Sequence, residues 1–137
     1  MNSFQFEEMA IGISEEFVAP ITNGMMDSFL SISGDINPLH VDVEYAREKD
    51  FSDRVVYGML TSALYSKLAG VYLPGKYCLL QGVDLTFHHP VYVGDILTVR
   101  GEVCYLNEAY RMVEIKAYIK NQDGKKISKA KIKAGFL

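Results

Sequence analysis

The chain has 137 residues, a length that fits one domain with a modest hydrophobic core. Apolar residues make up 49% and charged residues 23% of the chain, and the net charge is −3, so the composition argues against a nucleic-acid or anionic-membrane partner. No run of about 20 apolar residues and no signal sequence is present, so we expect a single cytoplasmic domain over residues 1–137.

The two cysteines, Cys78 and Cys104, lie in apolar stretches typical of strands. Neither belongs to a Cys-x-x-Cys pair, and no histidine-rich cluster stands at metal-binding spacing. We therefore expect two buried free thiols in a reducing compartment, with no metal ion and no redox cofactor.

The first elements along the chain are a short strand and a short helix. Mixed polar and apolar residues from Ile11 to Val18 predict a strand, which Pro20 ends. Thr22 is a suitable N-cap for a helix over Asn23–Ser33, where apolar residues recur at helical spacing. This helix leads directly into a turn at Gly34.

The segment from Gly34 to His40 is predicted to be a shaped loop without helix or paired strand. Gly34 permits a sharp turn, and Pro38 fixes its own φ angle and restricts the residue before it. Asp35 and His40 lie five residues apart on this loop, where a carboxylate and an imidazole can share one water for acid–base chemistry. Clusters of turn-forming residues usually mark only a surface loop, so the spacing by itself favours the structural interpretation over catalysis.

Short polar elements connect this loop to the next apolar stretch. Asp42 can cap a helix of one or two turns that continues through Arg47. Residues 49–54 are mostly polar and show no periodicity, so we expect a connecting loop there.

A second informative stretch begins at Gly58. Apolar residues recur every three or four positions from Gly58 to about Val71, which predicts a long and largely buried helix that Pro74 and Gly75 stop. The start of such a helix presents free backbone N–H groups and the positive end of the helix dipole, which can hold a developing oxyanion. A glycine at this position is equally well explained by close packing alone.

From Tyr77 onward, alternating apolar and polar residues indicate strands. A helix-bearing first half followed by antiparallel strands predicts an α+β domain, with a curved antiparallel sheet packed on one long helix. An Asp-Gly pair at residues 123–124 predicts a hairpin turn between the last two strands. The predicted strands cover residues 78–87, 96–107, 110–120 and 125–136.

Four motifs occur in the same order as in one known family. They are Ser33-Gly34-Asp35-Ile36-Asn37-Pro38-Leu39-His40, Val55-Val56-Tyr57-Gly58-Met59-Leu60, Leu73-Pro74-Gly75 and the segment Phe87–Asp95. Together they resemble the MaoC-like hydratase family, the (R)-specific enoyl-CoA hydratases. The resemblance extends from about Phe17 to the C-terminus, and its most specific part is the first motif.

The resemblance implies a hot-dog fold, in which a curved antiparallel sheet wraps a long central helix. Single chains of this fold and length generally form homodimers, and unpaired edge strands give a physical reason for the association. The substrates of the family are acyl thioesters of coenzyme A or of acyl carrier protein. No metal, redox cofactor, nucleic acid or membrane partner is implied.

The family's functional residues can be carried over position by position. Asp35 and His40 match the catalytic pair, which would activate one water for addition to, or elimination from, the acyl thioester. The Gly58 N–H would bind the thioester oxygen. Ser66 matches a serine that faces the substrate in relatives, and Asn37 is expected to fix the loop or contact the water.

The chain departs from the family at Tyr57, where the family usually has histidine. Met59 follows as in the family, and both residues are expected at the substrate pocket. The change at Tyr57 is expected to alter the polarity of the pocket or the preference for acyl groups. His88 and His89 match no catalytic position and are interpreted as loop or pocket-rim residues.

Two other functions are compatible with a hot-dog fold, a thioesterase and a non-catalytic binding module. Hot-dog thioesterases usually place an acid near the central helix, and the chain has no aspartate or glutamate from Gly58 to Gly75. A non-catalytic module that binds acyl thioesters has no need of both Asp35 and His40. We therefore predict a hydratase or dehydratase, with a thioesterase or a binding module as the alternatives.

Overall fold

The computed structural model describes every residue from Met1 to Leu137. Its main feature is a five-stranded antiparallel sheet. The strands lie in the spatial order β1-β3-β4-β5-β2, so β1 and β2 form the two edges. Their bounds are Ser14–Pro20 for β1, Cys78–Phe87 for β2, Ile96–Asn107 for β3, Met112–Lys120 for β4 and Lys126–Phe136 for β5.

The central strands alternate between a buried and an exposed face, because successive side chains of a strand point in opposite directions. The buried rows run from Leu97 to Val103 on β3 and from Val113 to Ile119 on β4. Val99 lies opposite Ile119, so the two rows form one apolar surface. The outer face carries charged residues such as Lys131 of β5.

The strand predictions are confirmed, with corrections at the start of two strands. The predicted strand 110–120 begins at Met112, because Tyr110 and Arg111 belong to the turn before it and Arg111 has a φ of 48°. The first strand begins at Ser14 instead of Ile11 and includes Pro20, which pairs with Ile96. Proline is tolerated there because β1 is an edge strand and Pro20 is its last residue. The predicted hairpin turn is also present, with Gly124 at a φ of 74° between β4 and β5.

The α-helices all lie between β1 and β2 in the sequence. The predicted helix over Asn23–Ser33 is confirmed, and the Thr22 side chain caps it by accepting a hydrogen bond from the Met25 N–H. Gly34 closes it in the left-handed region at a φ of 68°. The bounds are Asn23–Ser33 for α1, Pro38–Val41 for α2, Val43–Glu48 for α3 and Gly58–Lys67 for α4, with a single 3-10 turn at Phe6–Glu8 before β1.

The prediction that no helix occurs between Gly34 and His40 is wrong for the last part of that segment. Pro38 is the first residue of the short helix α2, and the Asn37 side chain caps it by accepting a hydrogen bond from the Leu39 N–H. Proline is favoured at the first helical position because its missing N–H is not needed there. His40 is therefore held on a helical turn.

The predicted central helix is shorter than expected. Helix α4 ends at Lys67, and a π-helical turn over Leu68–Tyr72 continues it, with the Leu73 N–H donating to the Leu68 carbonyl at 2.8 Å. A glycine within this turn, Gly70, lowers the preference for α-helix. The turn remains part of the core, because Leu68 is fully buried.

The central helix crosses the inner face of the sheet, as expected of the α+β hot-dog arrangement. Leu68 packs on Gly101 of β3, and the Tyr65 hydroxyl is hydrogen-bonded to Ser128 of β5 at 2.7 Å. Burial and loss of hydration raise the pKa of Tyr65 to about 12. Together these contacts fix the helix and its π-helical continuation to β5 and β3.

The prediction of a largely buried helix holds for only one side of α4. Met59 is 61% exposed, and Ala63 and Ser66 follow it on the same stripe of the helix surface. The physical reason is that one chain offers one sheet, which covers one face of the helix. The opposite side of α4 stays open in the single chain.

Both cysteines are free and half-buried, and burial raises the pKa of the Cys78 thiol. Cys104 donates a weak hydrogen bond to the Glu114 carbonyl. None of the helices combines the length and the apolar character needed to cross a membrane.

We expect Gly101→Ala to lower the free energy of unfolding by about 1–3 kcal/mol. A Cβ at this position would lie 2.6 Å from Leu68 Cδ2 and 2.9 Å from Ile115 Cγ2, so the core must shift to admit it. Gly82→Ala on β2 is the matched control, because no atom lies within 4 Å of its Cβ position. Urea denaturation of the two variants measures the difference, and equal stabilities would contradict this account of the core.

Candidate active site

His40 is held by its ring to the segment in front of α4. Its Nδ1 lies 2.6 Å from the Val55 carbonyl oxygen, and the Val55 N–H donates to the Leu39 carbonyl. Because a carbonyl oxygen only accepts, the Nδ1 carries the hydrogen. The other ring nitrogen, Nε2, is then left with a free lone pair, which is the form that a general base requires.

Asp35 lies on the exposed turn between α1 and α2. Its Oδ1 accepts a hydrogen bond from the Asn37 N–H at 3.0 Å, and its own N–H donates to the Ser33 hydroxyl at 3.2 Å. These local bonds hold the turn in one shape. They also leave the second carboxylate oxygen of Asp35 without a partner in the chain and free to bind a water or ligand.

Tyr57 lies beneath both residues and is only 2% exposed. Its hydroxyl donates a hydrogen bond to the Asp35 carbonyl at 2.8 Å, and its ring centroid lies 4.2 Å from that of His40. Phe29 of α1 packs against the same ring, at 4.8 Å between centroids. A pocket residue is expected at this position from the sequence, and a buried aromatic ring lies there, at the back of the site.

One cleft of about 400 Å³ brings five of the sequence-predicted site residues together. Asp35 and His40 supply the polar groups of this cleft, and the aromatic rings supply its apolar surface. It is lined by Phe29, Ser33, Asp35, His40, Tyr57, Gly58, Met59 and Phe87.

A second cleft of about 310 Å³ adjoins the first and shares His40, Gly58 and Phe87 with it. Apolar residues dominate the rest of its lining, and His88 and His89 also contribute, in agreement with their interpretation as rim residues. The two clefts together suit a molecule with a polar reacting group and an apolar tail. The remaining lining residues are Phe51, Val55, Val56, Thr61, Pro90, Val91 and Ile127.

Gly58 opens helix α4 at the point where the two clefts meet. No side chain caps this helix terminus, and the Gly58 N–H has no acceptor among the backbone carbonyls. The hydroxyls of Thr61 and Ser62 donate to the Gly58 carbonyl at 2.7 and 2.8 Å, which fixes the orientation of the first turn. A free N–H at the positive end of a helix dipole can stabilise negative charge on a ligand oxygen.

The packing role of Gly58 is present as well. A Cβ on Gly58 would lie 2.9 Å from Cζ of Phe87, so the Phe87 ring covers the glycine closely. Phe87 is half-exposed and lines both clefts, which makes it the partition between them. The two interpretations of this glycine, close packing and a free N–H, are therefore compatible.

Two sequence-predicted site residues, Ser66 and Asn37, line neither cleft, and the Asn37 side chain instead caps α2. Ser66 is exposed on the open stripe of α4, two turns beyond Gly58. The helix residue that does line the apolar cleft is Thr61, which sequence reasoning missed. Phe87 and Phe51 were also missed, because an apolar residue in a strand or loop carries no sequence signal that separates a cleft wall from core.

The site has no group of three or more histidine, cysteine, aspartate or glutamate side chains placed to hold a metal ion. The charged and titratable residues that line the two clefts are Asp35, His40, Tyr57, His88 and His89. Only one of them is a carboxylate, and it lies on the loop before α2 and not on α4.

Comparison with known proteins places this geometry in a family. The family profile described as "MaoC like domain" matches residues 10–125. The chain is 39% identical over 97 residues to the (R)-specific enoyl-CoA hydratase of Aeromonas caviae, covering 71% of this chain and 72% of that protein. It is 34% identical over 101 residues to the 3-hydroxybutyryl-CoA dehydratase of Methylorubrum extorquens, covering 74% of this chain and 64% of that protein.

The fold is also similar to that of solved structures. The (R)-hydratase from A. caviae superposes with a TM-score of 0.90 at 30% sequence identity, over 96% of this chain and 99% of that chain. The unliganded R-hydratase PhaJ1 from Pseudomonas aeruginosa superposes with a TM-score of 0.89 at 31% identity, over 96% of this chain and 84% of that one. The helix-on-sheet arrangement is therefore shared over nearly the whole chain.

The contact between His40 and Val55 predicts one tautomer for the His40 ring. In the neutral form of the ring, we expect His40 to carry its hydrogen on Nδ1. A long-range ¹H–¹⁵N NMR spectrum distinguishes the two ring nitrogens. His88, whose ring has no hydrogen-bond partner in the chain, serves as the control for a solvated imidazole, and a hydrogen found on Nε2 of His40 would contradict the structure.

Proposed function

This chain belongs to the MaoC-like domain family, and we propose that it is a hydro-lyase acting on acyl thioesters. The reaction adds water across the 2,3 double bond of an enoyl thioester, or removes it from an (R)-3-hydroxyacyl thioester. The observation that carries the proposal is that Asp35, His40 and Gly58 line one cleft that continues into an apolar one. The named hydratase and dehydratase relatives support the same class of reaction.

In the proposed hydration, one water binds between Asp35 and His40. The carboxylate orients the water, and Nε2 of His40, which has a free lone pair, accepts its proton as the oxygen bonds to C3. The electrons of the double bond move towards the thioester and produce an enolate. The acid–base pair returns a proton to C2, so the net change is the addition of one water and the pair is restored.

The Gly58 N–H is the proposed partner of the enolate oxygen. Negative charge develops on the thioester oxygen during the reaction, and a donor already fixed in place stabilises that charge without reorganisation. The uncapped start of α4 supplies such a donor, and the dipole of the helix adds to it. The thioester would then lie with its carbonyl at Gly58 and its C3 atom towards His40.

The apolar cleft is the proposed site of the acyl tail. Its walls carry Val55, Val56, Val91 and Ile127, and Thr61 is the single helix residue with a hydroxyl there, already engaged with Gly58. Burial of methylene groups in such a cleft contributes about 0.8 kcal/mol for each one.

A thioesterase is the less favoured alternative, because hydrolysis of the thioester requires a base aimed at its carbonyl carbon. Helix α4 carries no carboxylate, and the only carboxylate in the clefts belongs to Asp35. A binding module without activity has no need of a base, whereas Nε2 of His40 has a free lone pair that can accept a proton.

The proposed reaction is redox-neutral and needs no oxidant or reductant. The two free cysteines fit a reducing, cytoplasmic setting.

We also propose that the chain forms a homodimer through the β2 edge and the open side of α4. Strand β2 pairs only with β5, and its other edge is free. Several of its large apolar side chains are exposed, and Met59 of α4 is exposed in the same way. An edge of this kind favours pairing with a second chain. The exposed apolar residues of β2 are Leu79, Leu80, Val83 and Phe87.

The proposed reaction is tested with crotonyl-CoA as substrate. We expect loss of the enoyl absorbance without release of free thiol, and both are followed in the same cuvette, the second with a thiol reagent. His40→Ala and Asp35→Asn should each lower turnover by roughly 10²- to 10⁴-fold, the usual contribution of an acid–base group. Circular dichroism checks that both variants keep the fold.

Asp27→Asn is the matched control for the loss of a carboxylate. Asp27 is exposed on α1 and lines neither cleft, so its removal should leave turnover within about twofold of the original rate. Release of thiol with intact enoyl groups would contradict the hydro-lyase and favour a thioesterase. Near-normal rates in either active-site variant would contradict the assigned pair.

The homodimer is tested by light scattering coupled to size-exclusion chromatography. We expect a mass of twice the 15.4 kDa chain, because pairing of two β2 edges covers their exposed apolar side chains. Val83→Lys should shift the protein towards the monomer. Val18→Lys, an exposed valine on the opposite edge strand β1, should not. A monomer mass for the unmodified protein would refute this interface.

A further inference from the structure

Tyr57 touches every part of the proposed catalytic apparatus. Its hydroxyl donates to the Asp35 carbonyl at 2.8 Å, and its ring lies against the His40 imidazole with 4.2 Å between centroids. Its own peptide unit leads directly into Gly58, the first residue of α4. One side chain and its backbone therefore connect the loop that carries the acid–base pair to the helix that carries the oxyanion donor.

The surroundings of Tyr57 hold its side chain in one position. Phe29 packs against the ring, and the side chain is almost completely buried. Burial raises the pKa of Tyr57, and the nearby negative charge of Asp35 raises it further, while Arg54 lowers it. The phenol thus stays protonated at neutral pH and remains a hydrogen-bond donor.

The Asp35 turn has few other contacts with the rest of the molecule. The hydrogen bonds of its side chain and N–H are local, to Asn37 and Ser33, and the turn is exposed. The bond from the Tyr57 hydroxyl is the one that ties the Asp35 peptide unit to a distant part of the chain. Without it, the turn keeps its internal shape but loses its fixed distance to α4.

We propose that Tyr57 is a positioning residue, which sets the distance between the Asp35–His40 pair and the Gly58 N–H. This inference rests on the function proposed above. The reaction requires a water at C3 and a donor at the thioester oxygen at the same time, and displacement of either by about 1 Å can cost roughly 10²-fold in rate. Tyr57 acts through Asp35 and His40 and does not itself exchange a proton.

A tyrosine at position 57 supplies both contacts with one side chain. A phenol hydroxyl lies farther from the backbone than either nitrogen of an imidazole. Here the hydroxyl reaches the Asp35 carbonyl while the phenol ring lies tilted against the His40 imidazole.

The test compares Tyr57→Phe with Tyr65→Phe. Both variants lose one hydroxyl from a buried tyrosine, but Tyr65 is bonded to Ser128 and lines neither cleft. We expect Tyr57→Phe to lower kcat roughly tenfold, with KM within about twofold, because the substrate contacts stay and the reacting groups move. Tyr65→Phe should leave kcat within about twofold, whatever its effect on the melting temperature.

A second readout separates positioning from a general structural role. If Tyr57 acts through Asp35, then Tyr57→Phe in an Asp35→Asn background should change the residual kcat by less than about twofold. A loss of the same size in both backgrounds would overturn the proposal, and so would a normal kcat for Tyr57→Phe alone.

Amide hydrogen exchange tests the same geometry without substrate. In Tyr57→Phe, the amide of Val55, which joins the loop to the segment before α4 by donating to the Leu39 carbonyl, should exchange about fivefold faster or more, while Tyr65→Phe leaves it unchanged. Unchanged exchange in both variants would overturn the proposal. This measurement does not depend on activity. Failure of the proposed reaction would appear as no turnover of crotonyl-CoA, whereas failure of the positioning role would appear as unchanged amide exchange in Tyr57→Phe.

Discussion

Three hydrogen bonds between the Asp35–His40 segment and the four residues in front of Gly58 hold the site together. The Val55 carbonyl binds the His40 ring, the Val55 N–H binds the Leu39 carbonyl, and the Tyr57 hydroxyl binds the Asp35 carbonyl. The exposed turn at Asp35 and the helical turn α2 that carries His40 are thereby fixed to the start of α4. The tautomer of His40 follows from the first of these bonds.

The same segment is anchored in turn to the sheet. The Val56 N–H donates to the Val91 carbonyl at 2.8 Å, which ties the front of α4 to the loop after β2. Farther along, Tyr65 is bonded to β5, and Leu68 fits over Gly101 of β3. Close packing of this kind allows little displacement, so the rigidity of the core extends to the uncapped helix terminus at Gly58.

Local signals were enough to predict much of the fold. Helix α1 has a capping threonine at one end and a left-handed glycine at the other, and β3 and β4 alternate regularly, so each could be located within a few residues. The helical turn at Pro38 was missed because proline can equally well end a helix or begin one. The end of α4 at Lys67 was missed because the apolar pattern continues through the π-helical turn.

The site was predictable only where residue types in a motif suggest chemistry. Asp35, His40 and Gly58 stand in motifs whose residue types suggest chemistry, and the structure brings all three to one cleft. Which face of a helix meets that cleft depends on tertiary packing, so Ser66 was expected at the site and lies on the open side, whereas Thr61 was not expected and lines it. The role of Phe87 as a partition could not be predicted either, because it depends on a contact with Gly58 across 29 residues of sequence.

The most direct test of the central claim is a crystal structure of the Asp35→Asn variant with 3-hydroxybutyryl-CoA bound. We predict that the thioester oxygen lies within hydrogen-bond distance of the Gly58 N–H, about 2.7–3.2 Å, while the 3-hydroxyl contacts Nε2 of His40 and the side chain at position 35. The acyl tail should point into the cleft lined by Val55, Val56 and Ile127. A thioester bound away from Gly58, or a 3-hydroxyl beyond the reach of His40, would contradict the convergence of these groups on one substrate.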